Sequence, residues 1–436
     1  MTEGVTRSPT QAAAPDFAGV PRQVAWRLLP LLGLIYVIAQ IDRVNVSFAA
    51  LTMNADLGFS DAVYGFGAGL FFLGYLVFQV PSNLLLERYG AGRVLAVLMM
   101  AWGVASAATA LVRTPAEFYL IRTLLGVAES GVYPGIMLYL TYWFRAQERA
   151  TAIGLFTLSV PVAGLVGSPL SGFILERTDG GLGIAGWQWL FVLEGLPAAG
   201  LALVVLLVLA ERPRQARWLD AAASDWLEQE LASEPAARRV GGWTGALRQR
   251  RVWWLAAAYF LFAGGLIGSL YWLPKLVRAV APGLAGDTIG WMIGLPYLAF
   301  GVASVLWARH SDRRRERRWH FASGAWVGAA GLLALGLARD ALQAQLALVL
   351  MMFGMGMAFS TFWGLVTGAL DRHSAAVGIA LINACGSLAS FCTIYGVGLV
   401  LDAGGGYLGG FGLLALMVAA STPLALAARE GAAVTR

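Results

Sequence analysis

The chain is 436 residues long with a formal charge of +6, and 58% of it is hydrophobic against only 13% charged, where an ordinary soluble domain carries about 25%. Those proportions exclude a soluble globular protein and describe a chain that crosses a membrane many times. The 54 glycines fit this reading, because helices in lipid pack through small side chains that let their backbones approach.

In chain order, residues 1–25 form a polar tail without a charged-then-apolar leader or cleavage pattern, so the first span is expected to insert uncleaved. Apolar runs near twenty residues, long enough to cross a bilayer, then begin near Trp26, Ala62, Ala91, Ala116, Thr151 and Trp187. A second set begins near Val252, Thr288, Phe321, Leu342, Ala375 and Gly406. We therefore expect an all-α membrane protein of twelve transmembrane helices, with six-helix bundles over 26–210 and 252–428, a polar linker over 211–251 and a tail over 429–436. Within the linker, Trp218, Leu219, Ala222, Trp226, Leu227 and Leu231 recur among charges, the pattern of a short helix lying at the membrane surface and joining the halves. Twenty-four of the 31 basic residues fall on the side that holds the linker and both termini, and five on the other. Basic residues stay on the cytoplasmic side, so both termini are expected there.

Charge is rare inside the spans: Asp42 and Arg43 in the first, Arg122 and Glu129 in the fourth, Glu194 in the sixth. An ionisable side chain at that depth costs about 2.5–3.5 kcal/mol on insertion scales and is normally paired or lines a water-filled path. Arg122 and Glu129 are two helical turns apart, so they leave one face roughly 10 Å apart along the axis. Asp42 and Arg43 are neighbours and point about 100° apart. A carboxyl in a low-dielectric cavity resists ionisation and a nearby arginine reverses that, so its proton affinity depends on the partner the arginine has. Asp42 and Glu129 are thus expected to take up and release protons, while Arg43 and Arg122 hold an anionic substrate or restrain the acids in turn. The simpler alternative is structural ion pairing that fixes helix packing. Glu194 is read as an anchor of the sixth span to a neighbouring backbone or arginine. Gly126, Gly131 and Pro134 are expected to let the fourth span pack closely and bend.

The interior of spans seven to twelve carries no charge, so the second half is expected to supply neutral contacts. No Gly-x-x-x-x-Gly-Lys-Ser/Thr loop occurs, which argues against ATP-driven pumping; a gradient must supply the energy, and no cofactor is expected. His310, His320 and His373 are scattered without metal-ligand spacing. The arginines from Arg313 to Arg318 are explained by topology rather than by nucleic acid. No nucleophile–base constellation points to an enzyme.

The loop after the second span of each half carries a matching feature, Asn83 to Arg93 in the first and Ala308 to Arg313 in the second, and internal repeats of this kind are a signature of transporters. Glu87, Arg88, Gly90 and Arg93 resemble the loop signature Gly-x-x-x-Asp-Arg-x-Gly-x-Arg of the major facilitator superfamily, with Asn83 in place of the first glycine. Ile41 to Asn45, Gln79 to Leu85, Arg122 to Pro134, Tyr271 to Pro274 and Gly378 to Asn383 are similar to the anion:cation symporter branch of that family, which includes sugar-acid, tartrate, phthalate and vesicular glutamate transporters. The resemblance covers nearly all of residues 25–430. It implies two pseudo-symmetric bundles working by alternating access, proton sites at Asp42 and Glu129, and anion binding by Arg43 and Arg122. It also implies a substrate cavity lined by Tyr75, neutral substrate contacts at Trp363 and Asn383, and cytoplasmic gate or structural positions at Glu87, Arg88, Gly90, Arg93, Asp312 and Arg313. Ser387 and Ile267 depart from the asparagine and tyrosine that many relatives have there.

The expected protein is a proton-coupled importer of a small organic carboxylate, functioning as a monomer in membrane lipid. An exchanger or exporter of the same fold is the rival, and a non-transporting organic acid receptor a more remote one. A single lysine, Lys275, beside 30 arginines points to a GC-rich bacterial gene and hence to the inner membrane.

Overall fold

The computed structural model describes Phe17 and residues 19–234, 247–370 and 375–428, and every regular element among them is helical. The tail expected over 429–436, most of 1–25 and His373 lie outside the described residues. The first half comprises α1 (Val20–Ala49), the short α2 (Met53–Leu57), α3 (Asp61–Tyr89), α4 (Ala91–Ala108), α5 (Pro115–Glu129), α6 (Val132–Thr141), α7 (Ala146–Thr157), α8 (Ser159–Arg177) and α9 (Gly186–Val208). The linker helix is α10 (Ala221–Ser233). The second half comprises α11 (Arg250–Leu270), α12 (Leu273–Val280), α13 (Gly286–Gly294), α14 (Pro296–Arg314), α15 (Arg318–Leu337), α16 (Ala341–Ala369), α17 (Ala375–Asp402) and α18 (Gly406–Ala427).

Among the described residues, eleven stretches are long and apolar enough to cross a membrane, with α7–α8 and α13–α14 each forming one of them. The twelfth crossing is the pair α5 and α6, each too short to span alone. Thr114 and Glu117 start α5 with a capping box in which each side chain accepts from the other's backbone N–H at 3.3 Å, satisfying two donors that a helix start leaves open. The break comes at Ser130 and Gly131. Its cause is Pro134, which lacks an N–H and whose ring clashes with the carbonyl four residues back. Glu129 is thereby left as the last residue of α5.

Close approach within the first bundle depends on glycine. A Cβ on Gly126 would lie 2.0 Å from the Phe71 carbonyl oxygen, and one on Gly74 would lie 2.5 Å from that of Thr123. With no side chain at either position, α3 and α5 touch backbone to backbone.

The bundles meet through α3 against α17 and α8 against α13, where Gly65 faces the Ile394 carbonyl and Gly172 that of Gly286. Beside these contacts Tyr64 Oη donates to the Tyr271 carbonyl at 2.9 Å, and Trp272 Nε1 to the Ile394 carbonyl at 3.2 Å. Further out, the Asp402 carboxylate accepts the backbone N–H groups of Asp61 and Ala62 at 3.0 and 2.9 Å, capping α3 from the other bundle. Lys275 pairs with Asp61. These contacts close the molecule at the end where Lys275 lies.

At the opposite end the linker helix leans on the first bundle. Trp218 stacks on Trp143 at 5.5 Å and Phe17 on Trp226 at 5.1 Å, while Arg145 pairs with Glu230 at 3.0 Å and Arg149 with Glu234 at 3.1 Å. The histidines also need correction: His310 and His320 are not scattered but bonded to each other at 2.8 Å, and His320 to Glu316 at 2.7 Å. The turn between α14 and α15 folds them together, with Trp307 against both rings.

Candidate functional site

Arg43, Arg122 and Glu129 form one group, Asp42 is turned away from it, and the charges are not partnered symmetrically. Arg43 Nη2 donates to Glu129 Oε2 at 2.8 Å and its Nε to the same oxygen at 3.3 Å. The Arg43 side chain keeps 19% exposure and Glu129 none. Arg122 is fully buried, and its Nε, Nη1 and Nη2 have no hydrogen-bond partner; neither has Glu129 Oε1.

Phe71 of α3 explains how two cations stand so near each other. The Arg43 guanidinium lies 5.2 Å from the Phe71 ring centre and 5.3 Å from that of Tyr75, and the Arg122 guanidinium is 5.3 Å from Phe71. The negative face of an aromatic ring attracts a desolvated cation by about 2 kcal/mol. Phe71 serves both arginines. A guanidinium is never deprotonated and has five donors in a planar fork that matches a carboxylate, and the fork of Arg122 has no such partner.

Asp42 points the other way, as the 100° offset from Arg43 requires. Its Oδ1 accepts from Asn45 Nδ2 at 3.0 Å and from Ser106 Oγ of α4, and no arginine lies within ion-pair distance. Glu194 meets neither a backbone group nor an arginine, contrary to the anchor expected. Its Oε1 accepts from Ser171 Oγ of α8 at 2.7 Å, and Asp42 and Asn45 lie beside it.

Tyr75 is buried against Arg43, within the group. Tyr36 and Tyr133 add a second aromatic layer, their rings 5.6 Å apart. From the second bundle, Tyr259 faces Tyr75 and Tyr133, and Trp363 packs edge-on against Tyr259 at 5.2 Å. Asn383 is half-buried on α17, one turn before Gly386, which receives the Tyr259 ring. Neither Trp363 nor Asn383 hydrogen-bonds to the arginines. Tyr271 does reach across: its Oη donates to the Arg43 carbonyl at 2.8 Å.

The six loop positions lie at the linker end, well away from this group. Glu87, Arg88, Arg93, Asp312 and Arg313 are exposed. Gly90 has φ of 93°, a conformation that L side chains rarely adopt. The Arg93 backbone N–H donates to Glu211 of the linker at 3.0 Å, and Asp312 pairs with Arg317 at 3.4 Å.

Phe71, Tyr36, Tyr133 and Tyr259 were not legible as site residues, because an aromatic at helical spacing in an apolar span reads as core. Asn45 carried a signal: it stands three residues after Asp42, on the same helical face.

Residues 32–394 match the family model of the Major Facilitator Superfamily. A protein of Agrobacterium vitis named "Putative tartrate transporter" is 40% identical over 424 residues, 94% of each chain. A "Quinolone resistance transporter" of Acinetobacter baumannii is 37% identical over 403 residues, 92% of each. Among solved structures, the xylose transporter XylE of E. coli in its inward open conformation superposes with a TM-score of 0.75 at 16% identity, covering 94% of this chain and 98% of that one, a likeness of fold.

Proposed function

Because this chain belongs to the major facilitator superfamily and is a multi-pass membrane transporter rather than an enzyme, we propose that it couples protons to the import of a small organic carboxylate by alternating access. One observation carries this reading: Arg43 holds Glu129, while Arg122, more deeply buried, holds no anion. Protonating Glu129 removes the charge that retains Arg43, so both guanidinium groups then address one carboxylate. Losing that proton restores the pair and weakens the hold on the substrate. Proton and anion are thereby bound together or not at all.

The wall opposite the arginines describes the remainder of the substrate. Among the described residues the hydroxyls of Tyr36, Tyr133 and Tyr259 make no hydrogen bond; Tyr36 lies beside Arg43 and Tyr133, and Tyr259 beside Tyr133 and Tyr75. A hydroxylated acid would give them partners, which the buried Tyr36 and Tyr259 need, and the tartrate transporter name of a relative agrees. Trp363 and Asn383 supply the neutral contacts of the second bundle, Asp42 the second proton site, and the six linker-end positions the gate. The bundles over 26–210 and 252–428 rock about this site in a bacterial inner membrane, with both termini cytoplasmic and one chain sufficient.

Proteoliposomes with an imposed pH gradient test the reading. Wild-type protein accumulates a hydroxy acid such as tartrate above equilibrium, and Glu129→Gln reduces gradient-driven accumulation at least tenfold while retaining counterflow. Full accumulation by Glu129→Gln would sink the proton role. Export is the second reading, favoured by the resistance name of the Acinetobacter relative, and it predicts accumulation only against the opposite gradient.

A further inference from the structure

The donors and acceptors around Asp42 do not balance. Asp42, Asn45 and Glu194 are 0%, 0% and 5% exposed. Ser106 and Asn45 both donate to Asp42 Oδ1, and Ser171 donates to Glu194 Oε1. That leaves Asp42 Oδ2, Asn45 Oδ1 and Glu194 Oε2 buried without a donor. The indole N–H of Trp102 also lacks a partner and faces Asp42, so it is the donor available to Oδ2. Asn45 Oδ1 and Glu194 Oε2 remain without a donor of good geometry, although the Asn45 side chain adjoins Glu194.

The charges are equally unbalanced. Glu194 on α9 is faced by Asp42 and Asn45 of α1 and Ser171 of α8, α4 brings Ser106 to Asp42, and the turn Thr109–Leu111 brings no charge. No cation is in that set. Arg122 of α5 acts on Asp42, from beyond ion-pair distance. Two ionised carboxylates here would repel each other across one asparagine, and buried like charges do not both stay ionised. One proton on Glu194 Oε2 removes the second charge and supplies the missing donor to Asn45 Oδ1.

We propose that Asp42 and Glu194 form one proton-binding unit bridged by Asn45, in which the two carboxyls compete for a single proton and Glu194 acts as the positioning residue that sets how tightly Asp42 binds it. This rests on the reading of Asp42 as a proton site, and it places the proton store outside the substrate cavity. The proton enters as the bundle opens to water and leaves from the same carboxyl pair, with no other group transferred. Coupled acids of this kind titrate as a pair.

Two substitutions predict shifts of opposite sign in the pH at half-maximal uptake. Glu194→Gln keeps the shape and the Ser171 bond but removes the competing negative charge, so Asp42 binds its proton more weakly and the midpoint falls by about one pH unit, a tenfold change in proton affinity. Ser171→Ala removes a donor to the Glu194 carboxylate, so the pair holds its proton more tightly and the midpoint rises. Unmoved midpoints in both variants, or shifts of the same sign, overturn the proposal, because a lesion of packing has no reason to reverse direction. If wild-type uptake ignores the pH gradient, the proton-coupled reading itself has failed. If only the variants are silent, Glu194 is structural.

Discussion

At the residue scale, Phe71 and Gly126 show how little room the site has. Phe71 lends its ring to Arg43 and Arg122 and its carbonyl to the gap that Gly126 leaves open. Gly126→Ala would set a methyl group 2.0 Å from that carbonyl oxygen, which neither backbone accommodates without moving. We expect a loss of about 1–3 kcal/mol in stability from overpacking, read as a lower thermal midpoint in detergent. We also expect weaker substrate binding out of proportion to that loss, because α3 carries Phe71 and Tyr75 away from the arginines. Binding unchanged at a lowered midpoint would separate the ring from the site. The sequence marks Arg122, Glu129 and Gly126 clearly, since charge and lack of a side chain stand out in an apolar run. Phe71 is one phenylalanine among several, and only its neighbours distinguish it.

At the element scale, the fourth span ends one helix at Glu129 and starts another at Val132, so Glu129 stands at a break. The proline that causes it is legible in the sequence; the register that turns Glu129 toward Arg43 is not. A second element junction lies between α14 and α15, where Glu316 accepts the N–H of Trp319 at 2.8 Å and of His320 at 3.2 Å. Burial pushes the Glu316 carboxyl up, but those N–H groups and the His320 ring outweigh it, so it sits below its ordinary value. A depressed carboxyl contributes stability above its unfolded value and loses it as pH falls through the folded one. Amide exchange at Trp319 and His320, corrected for intrinsic rates, should therefore stay protected at neutral pH and weaken only as pH falls below the ordinary glutamate range. Glu316→Gln should cost about 1 kcal/mol of local protection, as loss of a cap does, and abolish the acid-dependent part. Acid dependence that survives in Glu316→Gln would assign it to another group.

At the scale of the whole molecule, the bundles are held at one end by Lys275 with Asp61, by Asp402 at the start of α3, and by Tyr271 over Arg43. Removing the ion pair should favour opening there. A partly exposed pair contributes up to about 1 kcal/mol, or roughly a fivefold change in the opening equilibrium. With Cys385 and Cys392 replaced by serine, a Phe66→Cys probe lies between the bundles against Phe391 and Tyr395. Lys275→Met should raise its labelling from that side several-fold, and an unchanged rate would mean the aromatic layer alone keeps the end shut. The sequence by itself determined the twelve spans, the two halves and the four charges of the site, because hydropathy, period and charge are local properties that survive without knowledge of neighbours. Tertiary structure alone decided that Arg43 takes an acid 86 residues away while Asp42 beside it joins Asn45, Ser106 and Glu194, and that the linker helix rests on the first bundle. Partner choice depends on how each helix is rotated and offset against the next, and those two variables are set by packing across the whole bundle.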